Sequence, residues 1–152
     1  MRLLIAAVGR MKASPLADLQ SEYMKRLSGP IGIKEVEERR ALPPAERKAR
    51  EAELLLAALP EDAPLVALDA GGTALTSAGF ADRLQRWRLD GIKTLAFVIG
   101  GAEGLAQPLV RRAGFTLSLG VMTWPHLLAR ILLLEQLYRA QQILAGHPYH
   151  RE

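Results

Sequence analysis

Apolar positions along the chain switch repeatedly between two periods. Leu3-Leu4-Ile5-Ala6-Ala7-Val8 is a short continuous apolar run, as a buried strand is. Ser14-Pro15 then offers an N-cap with proline at the first helical position. Leu16, Leu19, Tyr23 and Leu27 follow at helical spacing until Gly29-Pro30 stops them. Ile31 to Glu37 reads as a second, more polar strand at a sheet edge. Pro43-Pro44 opens a helix to about Leu59, where Arg47, Lys48 and Arg50 mix with Glu46, Glu51 and Glu53 as on a solvated face. Leu65 to Asp69 predicts a third strand, covered on both sides and leaving through Ala70-Gly71-Gly72-Thr73. Ser77 is placed to cap a helix with Phe80, Leu84 and Trp87 inward and Arg83, Arg86 and Arg88 outward, closed by Gly91. Thr94 to Ile99 is a fourth strand, a short helix covers about 107–113, and Phe115 to Leu119 alternates as a fifth strand. Trp124-Pro125 begins the longest helix, which runs to about Ala145.

Alternation of strand and helix predicts an α/β fold: a mostly parallel sheet with helices on both faces, in one domain spanning 1–152. The last helix is unusual. Its apolar positions run from Leu127 through Leu144 and exceed the stripe of roughly 100° that a one-sided surface helix shows. A second subunit is the expected cover for the remaining side, with charge at Leu133 or Leu137 expected to separate the pair.

Composition narrows the picture. The chain has 152 residues and no cysteine, which removes disulfides, thiolate zinc sites and cysteine nucleophiles and fits a cytoplasmic setting. The apolar run Ile131 to Leu134 ends at Glu135, far short of a membrane span, and Met1 to Val8 lacks the cleavage site of a signal peptide. Net charge is +4, and arginine supplies 15 of the 20 basic residues. Guanidinium groups pair bidentately with phosphate and stack on bases, so a polyanionic partner fits, although a GC-rich genome produces the same composition.

Candidate chemistry centres on Phe97-Val98-Ile99-Gly100-Gly101-Ala102-Glu103-Gly104, a strand that breaks into three glycines within five positions. Bare backbone at a strand's carboxyl end can approach a ligand closely. The G-G-x-x-G spacing after a fourth strand is not a dinucleotide fingerprint, and no Gly-Lys-Ser/Thr is present for a P-loop. A nucleotide-sized pocket and a simple tight turn both remain open. His147 and His150 lack a third nearby ligand, so no metal is expected. His126 and Arg130 share a helical face just past Gly120-Val121-Met122-Thr123.

Five segments in one order carry a resemblance: Leu68-Asp69, Ile99-Gly100-Gly101-x-Glu103-Gly104-Leu105, Met122-Thr123-Trp124-Pro125-His126, Glu135-Gln136-Leu137-Tyr138-Arg139-Ala140 and the closing His147-Pro148-Tyr149-His150-Arg151-Glu152. Together they resemble the small SPOUT-class methyltransferases that methylate N3 of a pseudouridine in large-subunit ribosomal RNA. The resemblance implies a C-terminal trefoil knot over about 65–145, S-adenosyl-L-methionine as cofactor, and a homodimer. The implied substrate is 23S rRNA in the assembled 70S ribosome, with neither DNA nor membrane as partner. It implies cofactor contacts at Leu68, Gly101, Gly120, Val121, Met122, Thr123, Trp124 and Pro125. It also implies a transfer site near His126, Arg130, Arg139, Tyr149 and His150. Removing the N3 proton requires a base or an oxyanion stabiliser. The expected roles are His150 as base, Tyr149 orienting it, Arg139 stabilising imide charge and His126 in support. A non-catalytic nucleotide-binding module and a ribosome-associated protein that uses its arginines for phosphate contacts are the competing classes.

Overall fold

A computed structural model describes residues 1–151; Glu152, the last residue of the closing motif, lies outside the described residues. The strands are β1 (Arg2–Val8), β2 (Ile31–Val36), β3 (Leu65–Ala74), β4 (Thr94–Ile99) and β5 (Phe115–Ser118). The helices are α1 (Pro15–Arg26), α2 (Pro44–Ala57), α3 (Ser77–Leu89), α4 (Gln107–Arg112) and α5 (His126–Leu144). The strands form one sheet in the order β2-β1-β4-β3-β5, and every paired neighbour is parallel. The expected edge strand, β2, is an edge.

Period-two alternation sorts the sheet into two faces. Leu3, Ile5 and Ala7 with Leu95, Phe97 and Ile99 face α1, α3 and α5, where Leu27, Phe80, Leu84, Trp87, Leu133, Leu134 and Leu137 cover them. Leu4, Ala6, Val8, Ala96 and Val98 face Leu55, Leu59 and Leu109 from α2 and α4 and the segments beside them. The expected α/β sheet with helices on both faces is present.

Several local expectations are revised. Thr76, not Ser77, caps α3 by accepting from the Gly79 N–H, while Ser77 donates to Gln136 at 2.7 Å. Arg83 is not an outward charge, because its guanidinium lies 5.0 Å from the Trp87 ring centre and 4.5 Å from that of Phe115. The third strand does not leave the sheet at Ala70. It bulges instead: Leu68 and Thr73 both pair with Leu117, and the residues between them arch out at the carboxyl end before the strand resumes.

The excess apolarity of α5 has a source within the chain. Ile131, Leu133, Leu134, Leu137 and Ala140 are all buried, and no residue of the helix is fully exposed. Leu133 and Leu137 therefore lie in the core of one chain and cannot be a seam between subunits. The face opposite carries Leu128, Leu132, Glu135 and Arg139, spaced so that they form one stripe.

Candidate active site

Three chain segments meet at the carboxyl edge of the sheet: the β3 bulge, the turn after β4 and the loop between β5 and α5. They enclose a cleft of about 290 Å3, near the lower end of the roughly 300–1,000 Å3 usual for small-molecule sites. Leu68, Gly101, Gly120, Met122, Thr123 and Trp124 line it, together with Asp69, Glu103 and His126. Val121 and Pro125 do not line it, and Val121 points to solvent with 90% of its surface exposed. Asp69 and Glu103 carried no expected role; both sit beside strand-end glycines, which is the signal that could have found them.

The walls are tied to one another. Ser118 donates from Oγ to the Ala70 carbonyl at 3.0 Å and accepts from the Gly120 N–H at 3.1 Å, joining the β3 bulge to the β5 exit. Trp124 donates its indole N–H to the Leu119 carbonyl at 3.3 Å, which fixes the ring at the rim. The Gly104 N–H donates to the Gly101 carbonyl at 3.0 Å and closes the turn.

The glycines of that turn act differently from the expectation that they let a ligand approach. A Cβ at Gly100 would stand 2.6 Å from the Gly104 carbonyl carbon, inside the turn itself. One at Gly101 would meet Val8 Cγ1 at 2.9 Å and Glu51 Oε2 at 3.1 Å, beneath the cleft. Gly100 is required by the turn's own backbone, and Gly101 by the protein behind the wall.

His126 opens α5 and packs on Gly9, where a Cβ would lie 2.8 Å from its Nε2. Gly9 also has φ +102°, a region that L side chains rarely adopt. Burial, and then the charge of Arg130, lowers the His126 pKa, so its neutral form is favoured.

Arg130 is a clamp, not a cleft residue. Its side chain is fully buried, donating to Glu35 Oε2 at 2.6 Å and to the Gly9 carbonyl at 3.1 Å. Burial alone raises the Glu35 carboxyl, but hydrogen bonds from Arg130 and the Met11 N–H outweigh it and hold that group below its ordinary value.

A second constellation forms where the tail folds back on α5. Arg139 donates to Glu135 Oε1 at 2.7 Å from one guanidinium nitrogen and at 3.1 Å from Nε. Tyr149 O–H donates to the same carboxylate at 3.1 Å, beneath the Arg139 guanidinium at 4.8 Å and against the Tyr138 ring at 4.8 Å. Burial, then the hydrogen bond to Glu135, raises the Tyr149 pKa and keeps the phenol protonated. The Arg139 guanidinium lies 3.3 Å from His150 Nδ1. Glu135, at the centre of this network, was the overlooked residue; its spacing of four from Arg139 was the available signal.

One chain does not bring the two constellations together. His126 and Arg139 are separated along α5 by ~20 Å, at ~1.5 Å rise per residue. Among the described residues no group of three or more histidine or acidic side chains could hold a metal ion. Among the described residues no helix is long and apolar enough to cross a membrane.

A family profile described as "Predicted SPOUT methyltransferase" matches residues 1–150. The ribosomal RNA large subunit methyltransferase H of Paramagnetospirillum magneticum is 58% identical over 151 residues, covering 99% of each chain. The protein of that name from Rhodospirillum centenum is 56% identical over the same span and coverage. Among solved structures, a probable methylase family protein from Haemophilus influenzae superposes with a TM-score of 0.61 at 11% identity, covering 99% of this chain and 70% of that one, a likeness of fold. A parallel sheet with a cleft at its carboxyl edge and full-length identity of this order have one reading: the chain belongs to the SPOUT methyltransferase family, alongside the ribosomal RNA large subunit methyltransferase H proteins.

Proposed function

We propose that this methyltransferase uses S-adenosylmethionine to methylate N3 of a pseudouridine in 23S ribosomal RNA of the assembled ribosome. The observation that carries the reading is the cleft, in which three strand-end segments converge within a chain of this family. Its lining suits the cofactor: Leu68, Met122 and Trp124 offer apolar surface for an adenine, and the Gly100–Gly104 and Leu119–Gly120 backbones offer peptide groups for its edge. The carboxylates of Asp69 and Glu103 suit hydroxyl and ammonium groups. Val121 and Pro125 are assigned to shaping the loop. Bound there, S-adenosylmethionine supplies a methyl group already activated on a sulfonium. The protein is left to position an N3 nucleophile and to deal with its proton.

Those tasks fall to the tail constellation. Arg139 is suited to stabilise the negative imide, and Tyr149, held as a neutral phenol, to orient by donating a hydrogen bond. His150, whose ring lies beside the Arg139 guanidinium, takes the role of base. His126, neutral and at the cleft, supports the far side. A separation of ~20 Å along one helix sets these groups apart from the cleft of their own chain, which favours a homodimer. Two α5 helices paired antiparallel across Leu128, Leu132, Glu135 and Arg139 bring the tail of one protomer to the cleft of its partner. The cofactor-binding portion is assigned to about 65–145 of a single domain, knotted as in the family.

Isotope-labelled S-adenosylmethionine with intact ribosomes, separated subunits and naked RNA tests the reading. Label in RNA of intact ribosomes supports it. Cofactor binding without transfer supports a regulatory module, and ribosome binding indifferent to the cofactor supports a non-catalytic protein.

A further inference from the structure

Glu51 sits in α2 at a place where its charge is out of keeping. Only 6% of its surface is exposed, and its Oε1 is buried with no hydrogen-bond partner. The carboxyl lies directly behind Gly101, beside Val8 and on the side away from the cleft. Arg47, one turn earlier, is the nearby cation, but it donates to the Glu38 and Arg40 carbonyls. Glu38 and Glu103 are the like charges that face it. Burial is the largest influence on the group, ahead of the opposing charge of Arg47 and the reinforcing charges of Glu103 and Glu38, and the outcome is a pKa above the ordinary carboxyl value. Leucine or methionine would fill the same space without the penalty of burying an unpaired polar group. A turn that cannot tolerate a methyl group on this side is held from behind by whatever occupies that space.

We propose that Glu51 is a positioning residue for the cofactor wall: its buried carboxyl packs under Gly101 and sets the Gly100–Gly104 turn against the cleft. The inference rests on the cleft being the cofactor site. Loss of the proton obliges the carboxylate to seek water or a cation, and the turn moves with it. Cofactor affinity then weakens as pH rises, and a neutral isostere removes that dependence.

Calorimetric titration of S-adenosylmethionine and S-adenosylhomocysteine into wild type, Glu51→Gln and Glu51→Ala from acidic to alkaline pH, with thermal melts alongside, tests this. Wild-type affinity for both ligands is expected to fall with increasing pH, and E51Q to keep the low-pH affinity throughout. E51A is expected to bind about tenfold or more weakly, as displaced positioning groups do, while still melting cooperatively. E51A binding like wild type, or E51Q keeping the wild-type pH dependence, overturns the proposal. If E51A does not fold, the comparison of E51Q with wild type decides. Wild type that binds neither ligand at any pH overturns the cofactor assignment itself, and the proposal with it.

Discussion

Arg130 and His126 show how closely the cleft depends on single side chains. Arg130 joins α5 to the ends of β1 and β2 through Gly9 and Glu35, from a fully buried position. Replacing it by methionine leaves the Gly9 carbonyl without the Arg130 donor and the Glu35 carboxylate without its buried cation, with the Met11 N–H still donating to it. A loss of about 3 kcal/mol is expected, at the lower end for a broken buried pair because Glu35 is partly solvated. Urea denaturation of R130M measures it. His126 gives a pH signature. Its folded pKa lies below that of the unfolded chain, so between the two values the unfolded state binds more protons and stability rises with pH. His126→Asn should flatten that slope, read as melting temperature against pH. None of this was legible from position alone. An arginine four residues after a histidine announces a shared face, but its partner Glu35 is 95 residues away in sequence.

At the scale of elements, periodicity located nearly all strands and helices, because each buries a face whose spacing is written in the chain. It failed where one element meets several others. The apolar excess of α5 suggested a partner subunit, yet α1, α3 and the sheet within the same chain cover Leu133 and Leu137. Mixed charges on α2 suggested a solvated face throughout, yet Glu51 lies inside. The β3 glycines marked a break in the ladder, but sequence could not tell a bulge from an exit, since that depends on whether β5 takes the strand back. A pair of substitutions separates core from seam on α5. Leu133→Glu should abolish cooperative folding by burying an unpaired charge. Leu132→Glu, on the half-buried outer stripe, should leave a folded chain that elutes as a monomer in size-exclusion chromatography and has lost methyl transfer.

For the whole molecule, the central fact is that cleft and tail constellation lie at different ends of one helix. Complementation checks the proposed division of labour. A His150→Ala variant and a cleft variant such as Met122→Asp are each expected to be inactive. Mixed in equal amounts, they should recover about a quarter of wild-type turnover, because half of randomly paired dimers hold one intact site. No recovery would require both constellations to act within one protomer.

The clamp at Gly9 also bears on the order in which the protein can be made. Arg130 reaches back 121 residues to the carbonyl at the end of β1. During synthesis β1 emerges well before α5, and the other four strands lie between them, so every strand of the sheet precedes the helix that secures β1. Long-range closure of this kind is slow and leaves earlier segments exposed in the meantime. A nascent chain halted before α5 therefore carries the sheet sequence without its fastening, making it a natural client for chaperones and an easy target for proteases.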